Sequence, residues 1–115
     1  RDRRFFFHVA KSGGAVLGYA VEDHVRGKWG PIDYLLTLDP KGNVLDITVL
    51  EYRERRGAPV AGWRFIGQFL GKNISHPLKL QKDIQGISGA SISSRGMTEG
   101  VRKLLYVFEH FYAAS

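Results

Sequence analysis

Asp83-Ile84-Gln85-Gly86-Ile87-Ser88-Gly89-Ala90-Ser91-Ile92-Ser93-Ser94 crowds glycine and small hydroxyl side chains into one stretch, immediately ahead of a long segment of helical apolar periodicity. That order suits a phosphate. The first turn of a helix offers backbone N–H groups without intrahelical partners and the positive end of the helix dipole, so an anion is stabilised there. Gly89 and Ala90 let a ligand come close to the backbone, and Ser88, Ser91, Ser93 and Ser94 add hydroxyl donors. The stretch has neither the lysine and spacing of a nucleotide P-loop nor the six-residue glycine fingerprint of dinucleotide folds, which argues against a nucleoside triphosphatase. The residues alone also admit a plainer use, because Ser is a preferred N-cap and these serines can simply cap the helix.

The run Ser88-Gly89-Ala90-Ser91-Ile92-Ser93 resembles the flavinylation motif of the FMN-binding domain family, in which Ser/Thr-Gly-Ala-Ser/Thr-x-Ser/Thr follows an acidic residue and opens a helix. Gly18-Tyr19, Trp29-Gly30-Pro31-Ile32, the turn at Gly42, Val49-Leu50 and Phe69-x-Gly71-Lys72 fall in the family's order, so the resemblance spans nearly the whole chain. It implies FMN as cofactor and electron transfer as the task, since the family includes flavin-carrying subunits of the sodium-pumping NADH:quinone oxidoreductase and of its ferredoxin-linked relatives. It further implies that the last hydroxyl of the motif, here Ser93, is esterified to the FMN phosphate by a flavin-attaching transferase. Ser88, Gly89, Ala90, Ser91 and Ile92 would then surround that phosphate. Threonine is the usual acceptor, and Ser93 departs from it.

The acidic residue ahead of the motif is Asp83, which by resemblance orients the loop or bonds the ribityl chain and by residue type is equally a turn former. A second departure is Glu54-Arg55-Arg56-Gly57-Ala58-Pro59, where related domains carry Glu-Thr-Pro-Gly-Leu-Gly beside the flavin and only Glu54 and Gly57 match. Arg55 and Arg56 are either partners for a reduced, anionic flavin or solvated loop charges. Flat aromatic faces pack well on a flat heterocycle. Trp29, in a glycine-flanked loop, is the candidate for ring contact, whereas Trp63 sits on an apolar stripe and is assigned to the core.

The 115 residues make one domain with enough aromatic residues to bury a core without staples. Without cysteine there is no thiolate chemistry, disulfide or cysteine-ligated metal cluster. His8, His24, His76 and His110 are scattered, with no paired metal-ligand spacing, and no metal is expected. The net charge of +6 is spread along the chain rather than gathered in a run, so no nucleic-acid partner is expected. No stretch approaches the roughly 20 apolar residues of a membrane span. The basic start Arg1-Asp2-Arg3-Arg4 lacks a signal-peptide pattern and reads as a cut from a longer chain, which by resemblance acts extracytoplasmically, with any membrane association carried by the missing part.

The elements that would position the motif follow from periodicity. Phe5 to Ala10 and Ala15 to Val21 flank Lys11-Ser12-Gly13-Gly14 as one hairpin, a loop runs from His24 to Gly30, and Pro31 to Leu38 and Val44 to Leu50 flank Asp39-Pro40-Lys41-Gly42-Asn43 as a second. Glu51 to Pro59 reads as an extended functional loop, Val60 to Leu70 as a helix with Trp63, Ile66, Phe69 and Leu70 inward, and Asn73 to Gln85 as irregular. Met97, Val101, Leu104, Leu105, Phe108, Phe111 and Tyr112 form the stripe of the last helix. The expected fold is α+β, an antiparallel sheet of two hairpins covered by helices. Two readings compete with an FMN electron carrier. One is a cofactor-free basic interaction domain using Arg53, Arg55, Arg56 and Arg64, and the other is a self-sufficient flavin-dependent reductase taking electrons from a nicotinamide.

Overall fold

The computed structural model describes residues 5–27, 30–52 and 62–111. Four strands, β1 (Phe7–Ser12), β2 (Ala15–Arg26), β3 (Pro31–Leu38) and β4 (Val44–Tyr52), form an antiparallel meander in the order β1-β2-β3-β4. Gly13 and Gly14 both take positive φ, as a tight two-residue hairpin turn requires. Period-two alternation in β3 puts Ile32, Tyr34, Leu36 and Leu38 on the buried face, as their spacing predicts. At the β3–β4 turn the Asp39 carboxylate accepts the backbone N–H groups of Lys41 and Asn43, each at 2.9 Å. These contacts are those of the expected α+β fold of two hairpins.

β1 runs on through Lys11 and Ser12, expected as turn, and β4 through Glu51 and Tyr52, expected as loop. Two further elements differ more from the sequence reading. β2 does not end near Val21 but pairs with β3 through Asp23, His24, Val25 and Arg26, opposite Tyr34, Asp33, Ile32 and Pro31. Charged residues suggested a loop there, yet Val21, Asp23 and Val25 continue the inward face, and Asp23 is tolerated inside because it is paired. The helix expected over Val60 to Leu70 is one α-helical turn, α1 (Trp63–Ile66), followed by a 3₁₀ turn, Gly67–Phe69. Tightening from 3.6 to 3 residues per turn breaks a stripe written for a continuous α-helix. Phe65, Ile66 and Phe69 are buried, whereas Trp63 is 73% exposed, which corrects its assignment to the core. Its indole instead lies over Gly67, where an added Cβ would meet the ring at 3.2 Å.

The long helix α2 (Ser91–Phe111) buries Met97, Val101, Leu104, Leu105 and Phe108 as its periodicity predicts, while Phe111 is exposed and Tyr112 lies outside the described residues. Its approach to the sheet is set by two glycines. A Cβ on Gly96 would collide with the Arg26 carbonyl oxygen, and one on Gly100 would stand 2.5 Å from Val25 Cγ1 and 2.7 Å from the Tyr34 hydroxyl. One turn further on, Lys103 Nζ reaches the buried Asp23 carboxylate at 3.0 Å, and Tyr34 donates its hydroxyl to the same carboxylate at 3.1 Å.

In an exposed helix, Gly→Ala stabilises by about 1 kcal/mol. Gly100→Ala is expected to do the reverse, lowering the unfolding free energy by about 1–3 kcal/mol through overpacking, as read by urea denaturation. Lys103→Met keeps the aliphatic stem but strips the cation from a buried carboxylate. It should lower stability by about 2–3 kcal/mol, below the full cost of breaking a buried pair because Lys103 is partly solvated. Unchanged denaturation midpoints would refute both expectations.

Candidate functional site

The loop ahead of α2 is built from backbone hydrogen bonds to a few polar side chains. Asp83 accepts the N–H groups of Leu78 and Lys79, each at 3.0 Å, and has the Lys72 ammonium 3.8 Å away. Partial burial pushes its carboxyl upward, and these N–H groups with the lysine charge outweigh that, holding it below the ordinary carboxylate value. Leu78 and Gln81 both occupy the left-handed region, at φ 51° and 68°, which non-glycine residues adopt only when their surroundings impose it. Gln68 then clamps the loop to the 3₁₀ turn. Its side-chain oxygen accepts the Gln85 N–H at 2.7 Å, and its side-chain amide donates to the Gln85 carbonyl at 2.9 Å.

Ile87-Ser88-Gly89-Ala90 is a tight turn closed by Ala90 N–H donating to the Ile87 carbonyl at 2.9 Å, with Gly89 at φ 81° in the position where a type II turn favours glycine. The first helical bond of α2 runs from Ser94 N–H to the Ala90 carbonyl, so Ala90 holds the N-cap position. Alanine has no side-chain acceptor for the first turn. Ser94 is buried and committed to the loop, its hydroxyl accepting the Ile87 N–H at 3.0 Å and donating to the Ala90 carbonyl at 2.8 Å. Ser88, Gly89, Ser91 and Ile92 line the outer surface of this turn, all four exposed. Among the described residues no side-chain hydrogen bond to the amides of Ser91 and Ile92 is seen. Open first-turn amides, a glycine turn that admits close approach and adjacent hydroxyls make a donor set suited to a phosphate monoester.

Two sides of α2 must be distinguished. Ser88 and Ser91, with Arg95, line a cavity of about 630 Å³ bounded on its other wall by residues 78–81. Ser93 is two residues past Ser91 and thus about 200° further round the helix. It shares a face with Gly96 and Gly100, the side that packs toward Val25 and Arg26, and is 1% exposed. Gly27 N–H donates to the Gly30 carbonyl at 2.8 Å, closing the β2–β3 connection that carries Trp29. Trp29, Glu54 and Gly57, with Arg53, Arg55 and Arg56, lie outside the described residues. Asp83 sits in the loop behind the motif rather than on the helix start.

Several contributors escaped the sequence reading. Gln68 carries no motif signal, and its clamp across 17 positions is invisible without the fold. The Gly96-x-x-x-Gly100 spacing was the available sign of a close helix crossing, and only a partner strand gives it meaning.

The architecture is thus an antiparallel sheet with a long covering helix that starts at a glycine turn. Residues 27–106 match the FMN-binding domain family, and the chain belongs to that family, with FMN as its cofactor. It is similar to a subunit of the proton-translocating ferredoxin:NAD(+) oxidoreductase complex of Clostridium ljungdahlii, 30% identical over 84% of this chain and 56% of that protein. It is also similar to the corresponding subunit of the Na(+)-translocating ferredoxin:NAD(+) oxidoreductase complex of Acetobacterium woodii, 30% identical over 90% of this chain and 55% of that protein. The fold matches the crystal structure of Shewanella oneidensis NqrC with a TM-score of 0.69 at 18% identity, covering 91% of this chain and 57% of that one. The chain therefore spans a little over half the length of these relatives. Among the described residues no helix is long and apolar enough to cross a membrane.

Because the Asp83 carboxyl is held low in the folded chain, its stabilisation is fully present above the unfolded value of about 3.9 and is lost as pH falls through the lower folded value. Asp39, whose carboxyl is also held low by Asn43, Lys41 and Gly42 against the upward push of partial burial, acts in the same direction. Asp83→Asn is expected to flatten part of the acid limb of a pH–stability profile below about pH 4. A profile identical to wild type would show that Asp83 holds nothing that folding depends on.

Proposed function

We propose that this chain is the FMN-bearing electron-relay domain of a larger redox assembly, with the flavin anchored by its phosphate at the start of α2. The observation that carries the reading is the helix start itself, where Ala90, which has no side-chain acceptor, holds the N-cap position directly after the positive-φ turn at Gly89. FMN, when bound, supplies the capacity to take up and release electrons. The protein's own task is to hold the phosphate with backbone dipoles, fix the helix against the sheet and set the surroundings of the ring. The clostridial and acetobacterial relatives are both subunits of ferredoxin:NAD(+) oxidoreductase complexes, which supports a role among redox partner proteins rather than as a complete enzyme.

The likeness of Ser88 to Ser93 to the flavinylation motif supports a covalent phosphoester at the Ser93 hydroxyl, installed by a flavin-attaching transferase in an extracytoplasmic setting. Ser88, Gly89, Ala90, Ser91 and Ile92 then cradle the phosphate, and Trp29, Glu54 and Gly57 are the proposed ring-side contacts. A serine that is 1% exposed is out of reach of a bulky flavin phosphate in this conformation, so loading requires the surrounding chain to part. The domain is read as residues 1–115 of a longer protein.

The test is a visible spectrum and intact mass on the chain co-produced with a flavin-attaching transferase, before and after denaturation. Wild type should retain one FMN-phosphoryl adduct through denaturation, Ser93→Thr should retain it too, and Ser93→Ala should lose it while staying folded by circular dichroism. Flavin released intact from wild type would make the site non-covalent. Rapid NADH oxidation by the isolated chain would favour a self-sufficient reductase instead, and a colourless chain that binds no added FMN would remove the flavin reading.

A further inference from the structure

The outer side of α2, away from Ser93, faces residues 74–86 across a groove. Its first cavity, about 630 Å³, has an apolar floor of Leu78, Leu80 and Ile87. Lys79 stands on one wall, and Arg95 and Arg102 stand on the other. A second cavity of about 700 Å³ shares Lys79, Glu99 and Arg102 with the first and adds Lys82. Glu99 is the one acid lining either cavity among the described residues, and it already lies 3.9 Å from Arg95. Lys79, Lys82 and Arg102 have no ion-pair partner among the described residues.

Of the other described acids, Glu109 lies on the same side of α2 two turns beyond Arg102 and lines neither cavity, and Asp23 is buried against Lys103 and Tyr34. Asp39 and Asp83 are taken up by backbone N–H groups of their own turns. Glu22, Asp33 and Asp46 lie on the opposite face of the sheet, where register sets them beside Leu35, His24 and Thr37. The lining of the groove is therefore net positive, which favours a negative partner there. Positive residues that look dispersed along the chain therefore converge in space.

We propose that this groove docks an acidic peptide segment of a partner protein, its carboxylates meeting Lys79, Lys82, Arg95 and Arg102 and its apolar side chains resting on Leu78, Leu80 and Ile87. The partner's being a redox protein rests on the electron-relay reading, while the chemistry of the segment rests on the groove. A concave trough with an apolar floor fits an inserted chain. A lipid headgroup plane would reach only the rims. Ser88 and Ser91 at the end of the first cavity place the docked segment beside the start of α2, within the neighbourhood of the phosphate site.

Fluorescence anisotropy of a short fluorescein-labelled peptide of alternating glutamate and leucine, titrated with the flavin-loaded chain, tests this. Saturable binding is expected, weakened by added salt, and absent for a lysine–leucine peptide. Arg102→Glu and Lys79→Glu, on opposite walls, should each weaken it roughly three- to tenfold, whereas Lys11→Glu in the distant β1 strand should leave it unchanged. Circular dichroism confirms each variant's fold, and either wall variant alone suffices. Failure of the peptide to bind, or equal weakening by Lys11→Glu, overturns the proposal. So does Arg102-dependent capture of phosphatidylglycerol vesicles without peptide binding, which would make the face a membrane contact. Flavin absorbance on the same samples keeps the two readings apart, because a colourless chain would sink the electron relay whatever the peptide does.

Discussion

The closeness of α2 to the end of β2 is the constraint on which the rest of the site depends. Gly96 and Gly100 let the helix backbone come so near that a methyl group at either position would meet Arg26 or Val25 and Tyr34. That contact fixes the rotation of the helix as well as its distance, since Lys103 must also reach Asp23. Rotation decides which side of the first turn each motif residue occupies. With Gly96 and Gly100 against the strand, Ser93 is held on the sheet side and Ser91 on the groove side, so a local steric rule in mid-helix assigns the duties of residues one and two turns upstream. Asp23 would be an expensive inward charge in an isolated strand, and Tyr34 with Lys103 turns it into the fastening that holds this geometry.

A helix can be positioned correctly and still have a loose first turn, and here the loop supplies the remaining order. Two residues in left-handed backbone, Leu78 and Gln81, would each be unfavourable alone. The Asp83 carboxylate receives the N–H groups of Leu78 and Lys79, Gln68 captures both backbone groups of Gln85, and Ser94 ties Ile87 to Ala90. These polar side chains each satisfy backbone groups that a buried or half-buried loop leaves without regular partners. They divide the labour with the motif, so that Ser94 and Asp83 give order while Ser88 and Ser91 stay available to a ligand. The carboxylate ahead of the motif is thus read most directly as part of the scaffold.

Much of the architecture was legible because period is a local property. The alternation of Ile32, Tyr34, Leu36 and Leu38 and the stripe from Met97 to Phe108 each name a buried face without reference to any partner. The glycine turn and the start of α2 were legible for the same reason, since glycine and hydroxyl residues ahead of a stripe carry their meaning in sequence order. What failed depended on distant residues. The strand looked finished near Val21 and His24 looked like loop, because the Lys103 that lets Asp23 continue the inward face is eighty positions away in sequence. Trp63 looked like core because a 3₁₀ turn at Gly67 cannot be foreseen from a stripe that is equally consistent with a longer α-helix. The convergence of Lys79, Lys82, Arg95 and Arg102 is a product of folding two separate segments side by side, so a reading of runs could only see dispersed charge.

The two-sided use of α2 also resolves an electrostatic difficulty. An FMN phosphate held non-covalently brings a charge of about −1.5 to −2 at pH 7, and one esterified to Ser93, as a phosphodiester, about −1. If the groove cations were needed to neutralise it, they would be unavailable to a partner. In the proposed site the helix-start amides and dipole would supply that stabilisation from the backbone itself. The side chains of Arg102, Lys79 and Lys82 then remain a positive surface of their own on the other side. Anchoring by backbone and docking by side chains can in this way be varied separately, since changing a groove charge leaves the amides where they are. A domain that must keep one cofactor while meeting a partner repeatedly gains from that independence, because the contacts that hold the flavin need never be released when the partner leaves.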